Sequence, residues 1–162
     1  MQQPVSLALG TNVGDRQHNL TTALNLLQTH IQILNTSPVY ETAPWGYLEQ
    51  DNFLNQVIEA QTSQTPLELF QFVKKVEQKM GREKIIKDGP RLIDIDILFY
   101  ADMIYSSDKL EIPHPRMRGR SFVLVPLADL APNFIHPVYQ MTIRELAAET
   151  DPSTLWPYLP QS

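Results

Sequence analysis

The 162-residue sequence contains no cysteine, and this absence excludes several kinds of site. A chain without cysteine has no disulfides, no thiolate zinc ligands and no cysteine nucleophile. The N-terminal residues 1–10 lack the basic region of a secretory signal peptide, and their apolar run is short. No apolar run reaches the roughly 18 residues that a membrane-spanning helix requires. We therefore expect a cytoplasmic protein without a membrane segment.

The common phosphate-binding motifs are also missing. The sequence contains neither G-x-x-x-x-G-K-[ST] nor G-x-G-x-x-G. The charge distribution nevertheless points to an anion. The net charge is −5, but residues 74–120 hold 11 of the 13 lysines and arginines and carry +3, so the rest of the chain carries −8. A basic segment in an acidic chain indicates either a local anion site or a solvated helix face with its loops.

The hydrophobic periodicity predicts one domain, residues 1–162, of the α/β (α+β) class. Alternating and helical patterns predict a β-α-β-β-α-β order over residues 5–9, 16–31, 31–41, 53–61, 66–80 and 92–100. This order is typical of a ferredoxin-like sandwich, with both helices on one face of an antiparallel sheet. Beyond it we expect a short β segment and an added C-terminal helical part, at residues 103–112, 120–130 and 142–149.

The segment Ile93-Asp94-Ile95-Asp96-Ile97 carries the strongest chemical pattern. Side chains alternate along a strand, so the isoleucines face the core and the two aspartates share the other face, with Cα atoms about 6–7 Å apart. Such a pair suits Mg²⁺, which prefers few carboxylates together with water and phosphate oxygens. A charged strand edge that prevents aggregation is the alternative reading, and short motifs alone do not decide between them.

Basic side chains flank this pair in sequence. Arg82, Lys84 and Arg91 precede the strand, whereas His114 and Arg120 follow it. Arginine forks match phosphate oxygens, and carboxylates flanked by such loops are what nucleoside triphosphate chemistry requires. His114 lies between two prolines, from where it either donates to a phosphate, acts as an acid, or bonds a nearby carbonyl.

A third group combines one amide with aromatic rings. Asn55 offers a donor and an acceptor to a planar heterocycle, and Trp45, Phe53 and Phe122 could stack on such a ring. Aromatic residues in strands usually belong to the core, so the pattern alone does not establish a ligand site.

Together these motifs resemble the 6-hydroxymethyl-7,8-dihydropterin pyrophosphokinase family. Its signature is similar to residues 87–98, and further resemblance lies in the following segments along nearly the whole chain: Leu9-Gly10-Thr11-Asn12, Tyr40-Glu41-Thr42-x-Pro44, Phe53-Leu54-Asn55, Glu77-x-x-x-Gly81-Arg82 and residues 113–122.

The resemblance implies a monomeric enzyme that transfers pyrophosphate from ATP to the pterin hydroxymethyl oxygen and releases AMP. It implies that Asp94 and Asp96 bind two Mg²⁺ ions. The remaining implied roles are catalytic support by Arg82 and Arg91, nucleotide contacts by Lys74, Glu77, Arg82, Lys84, Arg91, His114 and Arg120, and pterin contacts by Thr42, Pro44, Trp45, Phe53, Asn55, Asp94 and Phe122.

Two other functions remain open at this point. The ferredoxin-like fold also hosts non-catalytic nucleotide- or RNA-binding modules, but the aromatic RNA-binding pattern K/R-G-F/Y-G/A-F-V-x-F/Y is absent from the sequence. We therefore expect small-molecule substrates, with no nucleic-acid or membrane partner. The second alternative is an ordinary kinase that transfers only the γ-phosphoryl group. The nucleotide product separates them, because pyrophosphoryl transfer leaves AMP and γ-phosphoryl transfer leaves ADP.

Overall fold

The computed structural model describes residues 1–44, 49–81 and 92–159. The strands and helices are, in chain order, β1 (Gln3–Thr11), α1 (Arg16–Leu27), β2 (Gln32–Thr36), β3 (Tyr40–Thr42), β4 (Phe53–Thr62), α2 (Pro66–Lys79), β5 (Asp94–Tyr100), β6 (Tyr105–Ser106), β7 (Glu111–Ile112), α3 (Ser121–Leu130), α4 (Ile143–Ala148), a 3₁₀ turn (Pro152–Thr154) and β8 (Leu155–Pro157).

The main sheet is antiparallel, with the strand order β5-β1-β4-β3-β8, and β2 also pairs with β4. The strands β2 and β3 lie along the two halves of β4, so together they occupy one position in the sheet. The remaining order is that of a ferredoxin-like sandwich, which confirms the predicted fold class. The single strand predicted over residues 31–41 is wrong in detail, because Ser37 bonds β4 through its side chain and Pro38 interrupts the pairing.

The sheet separates two hydrophobic clusters. One cluster lies beneath α1 and α2 and contains Leu7, Leu54 and Ile95. The other lies beneath α3 and α4 and contains Val57, Leu98 and Leu124. Ile93, Ile95 and Ile97 are 4% exposed or less, whereas Asp94 and Asp96 are only partly buried. The predicted division of this strand into an isoleucine face and an aspartate face is therefore confirmed.

Helix α2 has the start and end signals that its sequence predicts. Thr65 accepts the backbone N–H of Glu68 at 3.2 Å, and Glu68 accepts the N–H of Thr65 at 2.8 Å. This reciprocal capping box satisfies two of the backbone donors that a helix start leaves without partners. Gly81 follows the helix with φ of +80°, a conformation that costs glycine little.

Several predicted boundaries need correction. Helix α1 ends at Leu27 rather than residue 31, because the chain turns through residues 28–30 before β2. The β segment predicted at 103–112 is a hairpin of two two-residue strands. Strand β8 was not predicted, because three residues that end in proline carry no readable alternation.

A helix that crosses a membrane must be about 18 residues or longer and predominantly apolar. Within residues 1–44, 49–81 and 92–159, no helix meets both requirements.

We expect Thr65→Ala to lower stability by about 1 kcal/mol, since it removes the cap of α2. For a chain of this size, that loss lowers the melting temperature by about 2–4 °C in thermal unfolding. Thr21→Ala is the matched control, because the Thr21 hydroxyl lies on the exposed side of α1 and bonds only back to Gln17 O at 3.2 Å. An equal effect of both substitutions would contradict the capping role.

Candidate active site

The two aspartates lie on a strand at the edge of the sheet. Among the described residues, β5 pairs only with β1, where Gly10 is opposite Asp94 and Ala8 is opposite Asp96. Both partners are small, so little side-chain volume covers the sheet beside the carboxylates. The aspartates therefore stand along one side of a shallow recess whose floor is β1.

The opposite side of this recess is formed by β4. Gly10 is paired with Asp94 on one side and with Asn55 on the other. A Cβ atom at position 10 would lie 3.3 Å from the Asn55 amide oxygen and 3.9 Å from Phe53. Because Gly10 has no side chain, space remains between the Asp94 carboxylate and the Asn55 amide. These residues lie on strands two spacings apart, which corresponds to about 10 Å.

A buried glutamate from α2 fixes the position of the aspartate strand. Glu77 is 2% exposed, and its Oε2 accepts the backbone N–H of Ile95 at 2.7 Å. The other carboxylate oxygen accepts Lys74 Nζ at 3.0 Å. Ile95 lies between the two aspartates, so this bond sets where both of them stand. The structure shows that the Glu77 carboxylate satisfies an edge-strand amide, and the nucleotide contact that the resemblance implies for Glu77 remains a prediction.

The electrostatics of the pair disfavour two negative charges. The pKa of Asp96 is raised to about 7, first by burial and then by the charge of Asp94, while Lys74 and Arg120 act in the opposite direction. Burial likewise raises the pKa of Glu77, against the Ile95 hydrogen bond and Lys74. The Asp96 side chain remains 40% exposed, so an ion from solvent can reach it.

His114 lies against the aspartates as a neutral ring. Its Nε2 is 3.9 Å from Asp96 Oδ1, and its backbone N–H donates to Leu98 O at 3.0 Å. Burial, followed by the charges of Arg120 and Arg116, lowers the pKa of His114 to about 4. Because Nδ1 accepts the Arg116 N–H at 3.2 Å, the ring proton is on Nε2. A neutral ring with its proton on Nε2 favours the predicted role of His114 as a hydrogen-bond donor to phosphate over its predicted role as an acid.

Two further predicted site residues, Arg120 and Phe122, lie at the start of α3. Arg120 precedes α3, and its guanidinium lies 5.6 Å from the ring centre of Phe122. The charges of Lys74 and Arg120 both lower the pKa of Asp96, so these predicted nucleotide residues lie near the aspartates.

The predicted pterin residues meet on the other side of Gly10. Asn55 Nδ2 donates to Thr42 Oγ1 at 2.9 Å, and both side chains are buried. This bond leaves the Asn55 carbonyl oxygen directed at Gly10, over the recess. Phe53 and Pro44 are half-buried at the two ends of the segment that joins β3 to β4. Trp45, Arg82, Lys84 and Arg91 lie outside the described residues, so their predicted roles remain predictions.

Sequence reasoning missed the polar residues that bond to residues 50–52, just before β4. Asn12 Nδ2 donates to Gln50 Oε1 at 2.7 Å and to Asp51 O at 3.0 Å. Arg16 Nη1 donates to Asn52 O at 3.0 Å. The available sequence signal was the Gly-Thr-Asn motif that contains Asn12, but its partner Gln50 is 38 residues away.

The donor set fits a hard cation better than a transition metal. Within the described ranges, no group of three or more histidine, aspartate or glutamate side chains could hold a metal ion. Two carboxylates on one face, one with a raised pKa, suit a Mg²⁺ ion whose other ligands are water and phosphate oxygens. The residues present therefore fit the ion that the sequence predicts.

A groove of about 410 Å³ lies elsewhere, between the outer faces of α1 and α2. Its lining includes Leu26, His30, Phe72 and Lys75, and none of the lining residues belongs to the aspartate face. We place the active site at β5 because the charged and amide groups converge there. The tilted rings of His30 and Phe72 pack with their centres 4.5 Å apart, and buried His136 packs against Phe99.

Comparison with known proteins gives a consistent result. The family model described as 7,8-dihydro-6-hydroxymethylpterin-pyrophosphokinase (HPPK) matches residues 6–132. A 2-amino-4-hydroxy-6-hydroxymethyldihydropteridine pyrophosphokinase of Aquifex aeolicus is 44% identical over 95% of this chain and 94% of its own length. The Dictyostelium discoideum folic acid synthesis protein FOL1 is 44% identical over 88% of this chain, which spans only 22% of that relative.

A solved structure shares the fold. The Plasmodium falciparum HPPK-DHPS crystal structure with pteroate aligns with a TM-score of 0.74 and 21% identity, over 92% of this chain and 43% of that one.

We expect Asp96→Asn to raise the melting temperature at pH 8 without divalent cations. A folded-state pKa above the unfolded value near 3.9 means that stability falls as pH rises between about 4 and 7. Asparagine does not ionise, so the variant does not lose this stability as the pH rises. Because solvent screens a partly exposed group, we expect a gain of about 1 kcal/mol, or about 2–4 °C, at pH 8.

The gain should shrink towards pH 4, which thermal unfolding across this range would show. A difference that does not vary with pH, or a less stable variant at pH 8, would contradict the raised pKa of Asp96 that burial and the charge of Asp94 cause.

Proposed function

The chain belongs to the 7,8-dihydro-6-hydroxymethylpterin-pyrophosphokinase family, and from this premise we propose that it transfers the β,γ-pyrophosphoryl group of ATP to 6-hydroxymethyl-7,8-dihydropterin. The observation that carries the proposal is the recess over Gly10, which has two carboxylates on one side and an amide on the other. One side suits a metal–phosphate group, and the other suits a planar heterocycle.

The pterin would lie over β1, between the aspartates and the Asn55–Thr42 pair. The Asn55 amide is oriented by its bond to Thr42, so its carbonyl oxygen is presented to a ring N–H. Phe53 borders this space and would cover one face of the ring. We propose that Phe122 covers the other face. In this position the hydroxymethyl group is directed towards Asp94, where the triphosphate would arrive.

The triphosphate would lie on the side of Asp96, His114 and Arg120. His114, neutral above a pKa of about 4, donates through Nε2–H without adding charge. Arg120 supplies a guanidinium already held over an aromatic ring. When bound by Asp94 and Asp96, two Mg²⁺ ions would neutralise the phosphate oxygens and shield them from the incoming oxygen.

The reaction requires no covalent intermediate with the protein. The pterin hydroxyl oxygen bonds to the β-phosphorus, the bond between that phosphorus and the α,β-bridging oxygen breaks, AMP leaves, and the hydroxyl proton passes to solvent. The chain's residues would hold the two substrates in line. We further propose that Arg82, Lys84 and Arg91 contact the phosphates, that Trp45 and Pro44 contact the pterin, and that residues 1–162 act as one cytoplasmic, monomeric domain.

The non-catalytic nucleotide- or RNA-binding alternative is not favoured, because the family match and the aspartate face both indicate an enzyme. Transfer of the γ-phosphoryl group alone would give ADP instead of AMP, so the nucleotide product distinguishes the two reactions.

We expect the chain, incubated with Mg²⁺, ATP and 6-hydroxymethyl-7,8-dihydropterin, to form one AMP for each pterin diphosphate. Chromatography of the nucleotides measures this directly. Asp94→Asn and Asp96→Asn should each lower kcat by about 10²–10³-fold or more, because they weaken binding of the phosphate-neutralising ions.

Asp102→Asn is the matched control, since Asp102 lies exposed in the turn after β5. The control should retain normal turnover. Formation of ADP would overturn pyrophosphoryl transfer, and near-normal activity of either site variant would overturn the metal role.

A further inference from the structure

The C-terminal strand β8 lies beside the pterin side of the site. It pairs with β3, so that Trp156 is opposite Glu41 and Leu155 is opposite Thr42, one of the proposed pterin residues. The HPPK family model matches residues 6–132 only. Strand β8 therefore lies beyond the matched segment, and neither the sequence pattern nor the family match gives it a role.

Glu41 connects this strand to the rest of the molecule. Its Oε2 accepts Arg16 Nη1 at 2.7 Å, and its Oε1 accepts the indole N–H of Trp156 at 3.1 Å. The Arg16 and Glu41 side chains are 23% and 20% exposed, so water screens their ion pair only in part. Burial acts to raise the pKa of Glu41, but the hydrogen bonds from Arg16 and Trp156 hold it below its ordinary value.

The same arginine joins the two ends of the segment between β3 and β4. Arg16 Nη1 donates both to Glu41, within β3, and to the carbonyl oxygen of Asn52, just before β4. Phe53 is the next residue and is paired with Thr42. Arg16 therefore links the end of β3 to the residue just before β4, beside the Thr42–Phe53 pair of the pterin side.

An aromatic ring from the C-terminal segment supports this arginine. The Arg16 guanidinium lies 5.6 Å from the ring centre of Tyr158, and the Tyr158 N–H donates to Val39 O at 2.9 Å. Arg16 is thus in contact with the carboxylate of Glu41 and the ring of Tyr158, while Trp156 fixes that carboxylate.

We propose that strand β8 is part of the pterin-binding apparatus, with Trp156, Glu41 and Arg16 as positioning residues. They hold the end of β3 and the start of β4, which carry Thr42 and Phe53, in place before the pterin arrives. Ordered strand ends reduce the entropy lost on binding. The inference rests on the proposed function. It concerns pterin rather than ATP, because β8 pairs with Thr42, a proposed pterin residue, whereas the proposed ATP residue His114 lies 3.9 Å from Asp96 on β5.

The test compares Glu41→Gln and Trp156→Phe with the wild type in an assay of AMP formation. Glu41→Gln removes the charge but keeps an oxygen acceptor, and Trp156→Phe keeps a ring but removes the donor. We expect each substitution to raise KM for the pterin about tenfold, equivalent to about 1.4 kcal/mol, while KM for ATP changes less than about twofold.

A second arginine–glutamate pair provides the matched control. Arg118 bonds Glu149 at 3.1 Å and lies 4.7 Å from the Tyr139 ring centre, which repeats the chemistry of the Arg16 site away from the pterin side. Glu149→Gln should leave both KM values unchanged. A double-mutant cycle of Arg16→Ala and Glu41→Ala should be strongly non-additive in pterin KM, since both remove one interaction.

The outcomes separate this inference from the proposed function. If the wild type forms AMP but the folded variants keep a normal pterin KM, or lose affinity for ATP and pterin equally, the role of β8 is overturned. If the wild type forms no AMP, the proposed function fails, and this inference fails with it. Isothermal titration of the variants with pterin, in the presence of an ATP analogue and Mg²⁺, should reproduce the KM change as a weaker Kd.

Discussion

The bond from the Ile95 amide to Glu77 determines how the rest of the site is arranged. Strand β5 is an edge strand within the described ranges, so this amide has no neighbouring strand to bond. The buried Glu77 carboxylate satisfies it at 2.7 Å and thereby joins α2 to the strand between the two aspartates. A buried carboxylate costs free energy, and the Lys74 ammonium at 3.0 Å offsets part of that cost. The fold thus holds two repelling carboxylates on one face, where a cation would relieve them.

The second constraint is the small side-chain volume of β1. Ala8 and Gly10 separate the carboxylates of β5 from the amide of β4, and a larger residue at position 10 would approach Asn55. One strand therefore separates a phosphate side from a heterocycle side. Asn12, before α1, and Arg16, its first residue, bond to the carbonyl oxygens of Asp51 and Asn52, just before β4.

Much of this arrangement was readable from the sequence, for a physical reason in each case. The alternation of Ile93, Asp94 and Ile95 fixes which face carries charge, since strand side chains alternate. The capping box at Thr65 fixes the start of α2 because its two partners are three residues apart. The Glu77–Ile95 bond and strand β8 were not readable. Their partners are 18 to 115 residues apart, and no local pattern encodes such a pairing.

The central claim is that Asp94 and Asp96 together hold divalent cations beside the phosphates of ATP. The most direct measurement is the number of Mn²⁺ ions bound per chain, by electron paramagnetic resonance, with a non-hydrolysable ATP analogue present. The account predicts two bound ions for the wild type and the loss of at least one in the Asp94→Asn, Asp96→Asn double variant. Equal stoichiometry and affinity in the two proteins would contradict it.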